Sequence, residues 1–260
     1  MPTSDRAGMV RAMGLLEFLK RKSPIEKHGE RVANKRTANA DRWESIQALG
    51  KIVTTEPEGG KPDLREAAVA ALMERFTFYV DPTITDGEEK DETYRWVCEA
   101  GAIAIPPVRA VLRAHDSASW GLKCLEQLLS AEEFIKEMLE LLETMDTEYL
   151  RDPQRKEQLL STLEEKRHPS IGKAVVPFFL DVNESARFHA HGAVLAQDNA
   201  ETFLPAVNDA LREEESVRVK VRVLEQFGER GWSLAEGIDV PEGWWVDKRG
   251  IPRKTSKQKK

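Results

Sequence analysis

The 260-residue sequence has no long apolar run, only two cysteines and few aromatic residues, which make up 7% of the chain. No stretch approaches the roughly 20 apolar residues that a membrane-spanning helix requires. The apolar run in MGLLEFLKRK, near the N-terminus, is too short for a secretory signal and has no small-residue cleavage site. Cys98 and Cys124 lack CxxC spacing, and two thiols in a chain of this length indicate a reducing compartment. We therefore expect a soluble cytoplasmic protein.

The sequence also lacks the motifs that common catalytic chemistries require. It contains no GxSxG nucleophile motif and no glycine-rich phosphate-binding loop, and neither cysteine stands in a recognisable catalytic motif. His189 and His191 lie two residues apart, so on a helix they point to different faces and do not easily share a metal ion. We predict that the protein is not an enzyme and that it holds no cofactor and no metal ion.

Charge is distributed unevenly along the chain. Residues 1–54 carry 11 Lys or Arg against 6 Asp or Glu, and residues 245–260 carry 7 against 1. Because the whole chain has a net charge of −6, the residues between these two basic ends hold −17. An acidic body repels phosphate backbones, which argues against nucleic acid lying along the middle of the protein.

Patterns typical of β-strands are nearly absent, and apolar residues recur at helical spacing along most of the chain. The segment SVRVKVRVLEQFGERGW carries two adjacent helical stripes, one of Val217, Val221 and Leu224 and one of Val219, Val223 and Phe227. Taken alone, VRVKVRV would also fit a strand, but the acidic REEES before it and LEQFGER after it favour a helix. The predicted fold class is all-α.

Similar segments recur about 31 residues apart in the second half of the chain. They begin at Asp152 (DPQRKEQLLSTLEEK), Asn183 (NESARFHAHGAVLAQ) and Glu214 (EESVRVKVRVLEQFG), with a basic residue at the fifth position of each: Lys156, Arg187 and Arg218. The helices that precede the two later copies carry a proline within the apolar run, which bends a helix. With looser pairs upstream, the pattern predicts about six helical hairpins that bury their apolar faces by stacking, an α-solenoid.

An Asp or Asn followed four residues later by Arg, with a proline in the preceding helix, resembles HEAT repeats of the bacterial kind also seen in phycobilisome lyases. The chain resembles a bacterial HEAT-repeat group of uncharacterised function, and this resemblance supplies no activity. It covers residues 24–232 and implies a superhelix between a basic N-terminal segment, residues 1–23, and a C-terminal cap, residues 233–260. HEAT repeats commonly form an Asp–Arg ladder between neighbours, so the resemblance implies a structural role for Asn183, Arg187 and Arg218.

Residues 81–92, DPTITDGEEKDE, come close to the ligand order of a calcium-binding loop, with oxygen-bearing side chains at the first, third, fifth and last positions. The calcium loop needs glycine at its sixth position, where this chain has Asp86, and neutral threonines stand at the third and fifth. We predict instead a loop after Phe76 that Pro82 and Gly87 punctuate, while DGEEKDE starts the next helix with acids that favour its dipole. Such a long loop in a repeat array would serve as a contact element.

The C-terminal segment GIDVPEGWWVDKRGIPRKTSKQKK breaks the helical pattern. β-type residues flank a turn-like stretch, DKRG, at residues 247–250. The sequence predicts a small hairpin in which Trp244 or Trp245 covers the exposed core of the last repeat, followed by a disordered basic end.

Three functional classes remain open at this stage. We favour a non-enzymatic scaffold that binds a protein partner on a curved helical surface through shape and charge complementarity. Arg218 and Arg222 share one predicted solvent-facing stripe, and Arg187 and His191 take the equivalent places one repeat earlier, so these four are expected to face a partner with an acidic segment. The alternatives are a nucleic-acid-binding protein resembling HEAT-like alkylpurine DNA glycosylases and a chromophore lyase-like protein.

Overall fold

The structure, a computed structural model, describes residues 22–57, 63–115 and 117–255, and these residues are mostly helical. They form twelve α-helices, four 3₁₀ segments and one two-stranded antiparallel sheet. The predicted basic N-terminal segment lies almost entirely outside the described residues, as does the basic end beyond residue 255. None of the described helices is long and apolar enough to cross a membrane.

The elements follow one another without long interruptions. The α-helices are α1 (Pro24–Ala33), α2 (Asn39–Thr54), α3 (Arg65–Met73), α4 (Thr83–Glu99), α5 (Ile105–Ala114), α6 (Ser119–Leu128), α7 (Ala131–Glu143), α8 (Gln154–Glu164), α9 (Pro169–Val175), α10 (Glu184–Leu195), α11 (Leu204–Glu213) and α12 (Val217–Arg230). The 3₁₀ segments are Glu74–Thr77, Gly101–Ala104, Val176–Leu180 and Ala200–Phe203, and the strands are β1 (Trp244–Val246) and β2 (Pro252–Lys254).

The helices predicted from hydrophobic spacing are present, and VRVKVRV is part of α12. On α12 the stripe of Val219, Val223 and Phe227 is buried throughout, whereas of the other stripe only Leu224 is buried. Val217 is exposed, because the helix turns it away from the buried stripe. A Ser–x–x–Glu capping box begins both α1 and α7. Each serine side chain accepts the backbone N–H of the glutamate, and each glutamate side chain accepts the backbone N–H of the serine.

The prolines that were predicted to bend helices lie at helix ends. Pro177 lies in the 3₁₀ segment that follows α9, and Pro205 lies in the first turn of α11, directly after a 3₁₀ segment. Pro107 likewise lies in the first turn of α5. A proline in the first turn removes no intrahelical hydrogen bond, so α11 and α5 do not need to bend.

The chain divides into two compact units, Met1–Val111 and Leu112–Lys260, with the division inside α5. In the first unit α2 packs against α1, α3 and α4. In the second unit α10 packs against α8 and α12. These two helices, α2 and α10, are therefore the centres of their units.

Residues 86–92, DGEEKDE, lie in a helix as predicted, but the loop before them is shorter than expected, and its role as a contact element stays a prediction. Helix α4 begins at Thr83, so most of this stretch is helical. Asp86 is buried, and it accepts hydrogen bonds from Arg75 Nη2 at 2.7 Å and from the backbone N–H of Val80 at 3.0 Å. Asp86 and Glu89 of the acidic run therefore face the inside of their unit, where they neutralise buried cations, whereas Glu88 and Asp91 are exposed.

The predicted C-terminal hairpin is confirmed, with β1 and β2 antiparallel and Val246 opposite Pro252. Asp247 fixes the turn by accepting the backbone N–H groups of Arg249 at 2.8 Å and Ile251 at 3.0 Å. The bond from Ile251, followed by those from Arg249 and Arg253, lowers the pKa of Asp247 against the smaller opposing effect of burial. Gly250 adopts a φ of +81°, a left-handed conformation that favours glycine.

The hairpin packs on α12 through its second strand. Ile251 and Pro252 are buried, whereas Trp244 is half-buried and Trp245 is 51% exposed. At Gly228 of α12 an added Cβ would lie 2.9 Å from the carbonyl oxygen of Pro252, so strand β2 reaches the helix backbone itself. The start of β2 is therefore the part of the hairpin that lies against the helix, and the covering role of Trp244 or Trp245 stays a prediction.

Candidate partner-binding face

Helices α8, α10 and the segments that precede α10 and α12 are linked by buried ion pairs. Lys156 on α8 donates to Asp181 Oδ2 at 2.6 Å, and both side chains are buried. Arg187 on α10 donates from Nε and Nη2 to the two oxygens of Glu214, at 2.8 and 2.9 Å. Arg187 also donates to the backbone carbonyl of Asp181 at 2.8 Å. Arg187 is thus held by side-chain and backbone contacts within its unit.

The pair formed by Arg187 and Glu214 shapes the titration of both groups. The hydrogen bonds to Glu214 raise the pKa of Arg187, and partial burial opposes this. Burial raises the pKa of Glu214, but the hydrogen bonds from Arg187 and from the backbone of Ser216 outweigh it and leave the pKa lowered. The pair is therefore ionised at neutral pH and unsuited to proton transfer there.

The repeat register read from the sequence is shifted by two residues at α12. The side chains of Asn183 and Ser216 cap α10 and α12, accepting the backbone N–H groups of Ala186 and Val219. By cap position Arg187 corresponds to Lys220 and not to Arg218. Two residues turn a helix by about 200°, so Arg218 lies on a different face from the ladder position.

The prediction that His191 faces solvent and a binding partner is wrong. The side chain is fully buried, and its ring stacks on Phe179 with centroids 4.1 Å apart and an interplanar angle of 10°. Neither ring nitrogen has a hydrogen-bond partner among the described residues. Burial lowers the pKa of His191 to about 3, so the ring is neutral and sits in the core as an apolar group would.

Arg218 and Arg222, by contrast, lie together on α12 against one aromatic ring. The guanidinium carbon of Arg218 is 3.9 Å and that of Arg222 4.1 Å from the ring centroid of Phe188 on α10. The side chain of Arg218 is 51% exposed, and its ion pair with Glu184 is long, at 3.4 Å. Stacking fixes the two planar cations, while Arg218 keeps donors directed to solvent.

A carboxylate of α8 joins this arrangement and contacts side chains of both α10 and α12. Glu164 on α8 binds His189 Nδ1 through Oε1 and Arg222 Nη2 through Oε2. Gly192 makes room for this ion pair, since an added Cβ would lie 2.2 Å from Arg222 Nη2 and 2.7 Å from the carboxyl carbon of Glu164. We call Glu164, Phe188, His189, Arg218 and Arg222 the Phe188 cluster.

A polar groove of about 360 Å³ adjoins the Phe188 cluster and shares His189 with it. Its other lining residues come from α6 and α8: Ser119, Leu122, Lys123, Glu126, Glu157, Gln158, Ser161, Thr162 and Glu165. Three glutamates and one lysine make the groove acidic, whereas the neighbouring cluster sets two arginines against the single carboxylate of Glu164. The face therefore presents charge of both signs within one unit, an arrangement suited to binding charged side chains.

The sequence interpretation missed a buried charge network in the first unit, formed by Arg42, Arg75, Asp86, Glu89 and Lys90. Arg42 Nε and Arg75 Nε both donate to Glu89 Oε2 at 2.7 Å. Lys90 Nζ lies 2.8 Å from Asp86 Oδ2. Burial raises the pKa of Asp86, but the hydrogen bonds from Lys90 and Arg75 exceed it and hold the pKa below its usual value.

A signal for this network was present in the apolar stripes. Arg42 stands four residues before Ile46 and in line with Leu49 on α2, and Glu89 stands in line with Thr93 and Val97 on α4. A charged residue in the buried stripe of a helix indicates an internal partner. The two helices pack together, so the charges meet.

No group of three or more His, Cys, Asp or Glu side chains within residues 22–57, 63–115 and 117–255 is arranged to hold a metal ion. Comparison of the chain with known proteins found no matching family model, no matching curated protein and no matching solved structure.

Proposed function

We propose that the protein is a cytoplasmic, non-enzymatic scaffold of HEAT-like helical hairpins that binds a protein partner through the Phe188 cluster. The observation that carries this proposal is the pair Arg218 and Arg222 stacked on one ring at 3.9 and 4.1 Å. Because the ring already orders these cations, a partner carboxylate meets them at a lower entropic cost than it would meet mobile side chains. The partner therefore carries an acidic segment.

The repeat architecture is supported by the neighbouring second helices. Helix α10 packs against both α8 and α12, and the Lys156–Asp181 and Arg187–Glu214 pairs repeat the same kind of link one hairpin apart. Such pairing between successive hairpins is what the HEAT resemblance implies. The reducing location is supported by the two cysteines of the sequence, of which Cys124 is buried in α6.

Duplex nucleic acid is a weaker candidate for this face. A phosphate backbone that reached Arg218 and Arg222 would also meet the groove that contains Glu126, Glu157 and Glu165. Like charges in that groove repel phosphates. A protein segment can place acidic residues on the cluster and basic residues over the groove, so it fits both halves of the face.

Replacement of Arg218 by alanine should weaken capture of the partner roughly tenfold while leaving thermal unfolding unchanged, because the side chain is half exposed and makes no buried bond. The measurement is an affinity pull-down from native lysate with nuclease in one arm, followed by quantitative mass spectrometry. Arg212→Ala on α11 is the matched control, since Arg212 is 43% exposed and paired with Asp209.

A protein that survives nuclease, is lost with Arg218→Ala and is retained with Arg212→Ala supports the proposal. Equal capture by both variants would place the binding site elsewhere, and loss of all retained proteins on nuclease treatment would favour a nucleic-acid-binding function. Arg222→Glu is a poorer test, because it would set a second carboxylate against Glu164 and disturb the fold itself.

A further inference from the structure

The C-terminal hairpin places two tryptophans beside basic residues on a small exposed sheet. Trp244 lies opposite Lys254 and Trp245 lies opposite Arg253. Lys254 Nζ is 5.7 Å from the ring centroid of Trp244. Trp245 is 51% exposed, although a tryptophan of a folded chain usually buries most of its surface. Its indole is therefore available to stack with a flat ligand.

The hairpin that carries this indole also carries several cations. Lys248 and Arg249 are exposed at the tip of the hairpin. The strand cations form ion pairs of 3.2 Å, Arg253 with Asp247 and Lys254 with Glu225. Residues 245–260 contain 7 Lys or Arg against 1 acid, a net charge of +6. The remainder of the chain therefore carries −12, which gives the total of −6. A polyanion is attracted to this end of the chain and repelled by the rest.

We propose that the hairpin binds single-stranded nucleic acid, with one base stacked on Trp245 and the adjoining phosphates on Lys248 and Arg249. A thin, flexible strand reaches the hairpin without lying along the acidic remainder of the chain. A stiff duplex or an anionic lipid surface extends well beyond the screening length of about 8 Å and brings its charge towards the acidic residues. An acidic peptide would bind the cations, but its carboxylates would not stack on the exposed indole.

The test uses the full chain and a fluorescein-labelled oligouridylate of about 12 nucleotides, with anisotropy followed between about 50 and 200 mM salt. Trp245→Ala should weaken binding about tenfold and leave the salt dependence unchanged, because stacking releases no counterions. Lys248→Gln with Arg249→Gln should lower the slope of log K against log salt by roughly 1.4, since about 0.7 is expected for each phosphate contact on a single strand.

The matched control is Trp43→Ala, at a tryptophan of α2 that is 40% exposed; it should bind the oligonucleotide as the native chain does. The double variant at the tip changes only exposed side chains, so it remains informative even if Trp245→Ala disturbs the hairpin. Duplex of the same length, phosphatidylserine vesicles and polyglutamate serve as competing probes.

Preferential binding of the single strand, weakened by Trp245→Ala, supports the proposal. Stronger binding to vesicles or duplex, equal binding to polyglutamate with no effect of Trp245→Ala, or no binding to any probe would each overturn it. The hairpin variants lie outside the Phe188 cluster, so failure here is separate from failure of the proposed partner binding.

Discussion

Replacing His191 with leucine should abolish most of the loss of stability that the native chain undergoes between about pH 6.5 and 4.5. The folded state holds the pKa of His191 at about 3, against 6.5 for an unperturbed histidine, because the ring is buried. In this pH range the His191 side chain becomes protonated in the unfolded chain but stays neutral in the folded chain. Stability is therefore full above pH 6.5 and falls as the pH drops, by up to about 1.4 kcal/mol for each pH unit.

The measurement is urea unfolding at a series of pH values, with the free energy of unfolding plotted against pH. The native chain should lose roughly 2 kcal/mol across the interval, and His191→Leu should lose much less. At neutral pH the variant should be at least as stable, because the substitution removes a buried N–H group that has no described acceptor.

Phe179→Leu provides the control for this prediction. It removes the ring stacked on His191 but retains the histidine. It should lower stability at every pH and preserve the slope. A slope in His191→Leu equal to that of the native chain would mean that other groups cause the acid sensitivity; His28, whose pKa burial also lowers, would be the next to test.

The second large effect is expected at Glu89. Its carboxylate accepts hydrogen bonds from Arg42 and Arg75, and both guanidinium groups are fully buried. Glu89→Gln keeps the shape but leaves the two buried cations with one compensating charge fewer. Removing one partner of a buried ion pair costs about 3–5 kcal/mol, much more than an exposed pair.

The measurement is hydrogen exchange of the α2 and α4 amides, which reports the opening of the first unit by itself. Glu99→Gln is the control on the same helix, because its partner Arg95 is 45% exposed and the loss should stay below about 1 kcal/mol. Slowly exchanging amides in α2 and α4 that are unchanged in Glu89→Gln would show that the network is not desolvated.

Local sequence patterns predicted the helices and the C-terminal hairpin, because helical periodicity and the turn at DKRG are properties of neighbouring residues. They failed where distant residues decide. Asp86 was predicted as an acid at the start of a helix, and its burial was missed because its partner Arg75 lies eleven positions away in the 3₁₀ segment before α4. Burial of Glu89 against Arg42 depends on the packing of α2 and α4, which periodicity alone does not specify.

In the candidate site too, local patterns predicted what neighbouring residues determine and failed where distant residues decide. Arg218 and Arg222 were expected on one helix face from their four-residue spacing, but the Phe188 ring that both contact comes from α10 and could not be read from α12 alone. His191 was misplaced because a 31-residue spacing was carried through a register that is 33 residues between the caps Asn183 and Ser216. A shift of two residues moves a helical side chain to another face, so only the packing of α10 against its neighbours reveals which face is buried.

Hydrogen exchange of the chain alone and saturated with its captured partner tests the proposed binding face most directly. The proposal predicts slower exchange in α10 and α12, residues 184–195 and 217–230, with the effect lost in Arg218→Ala and kept in Arg212→Ala. Protection confined to the first unit or to the C-terminal hairpin, with α10 and α12 unchanged, would contradict it.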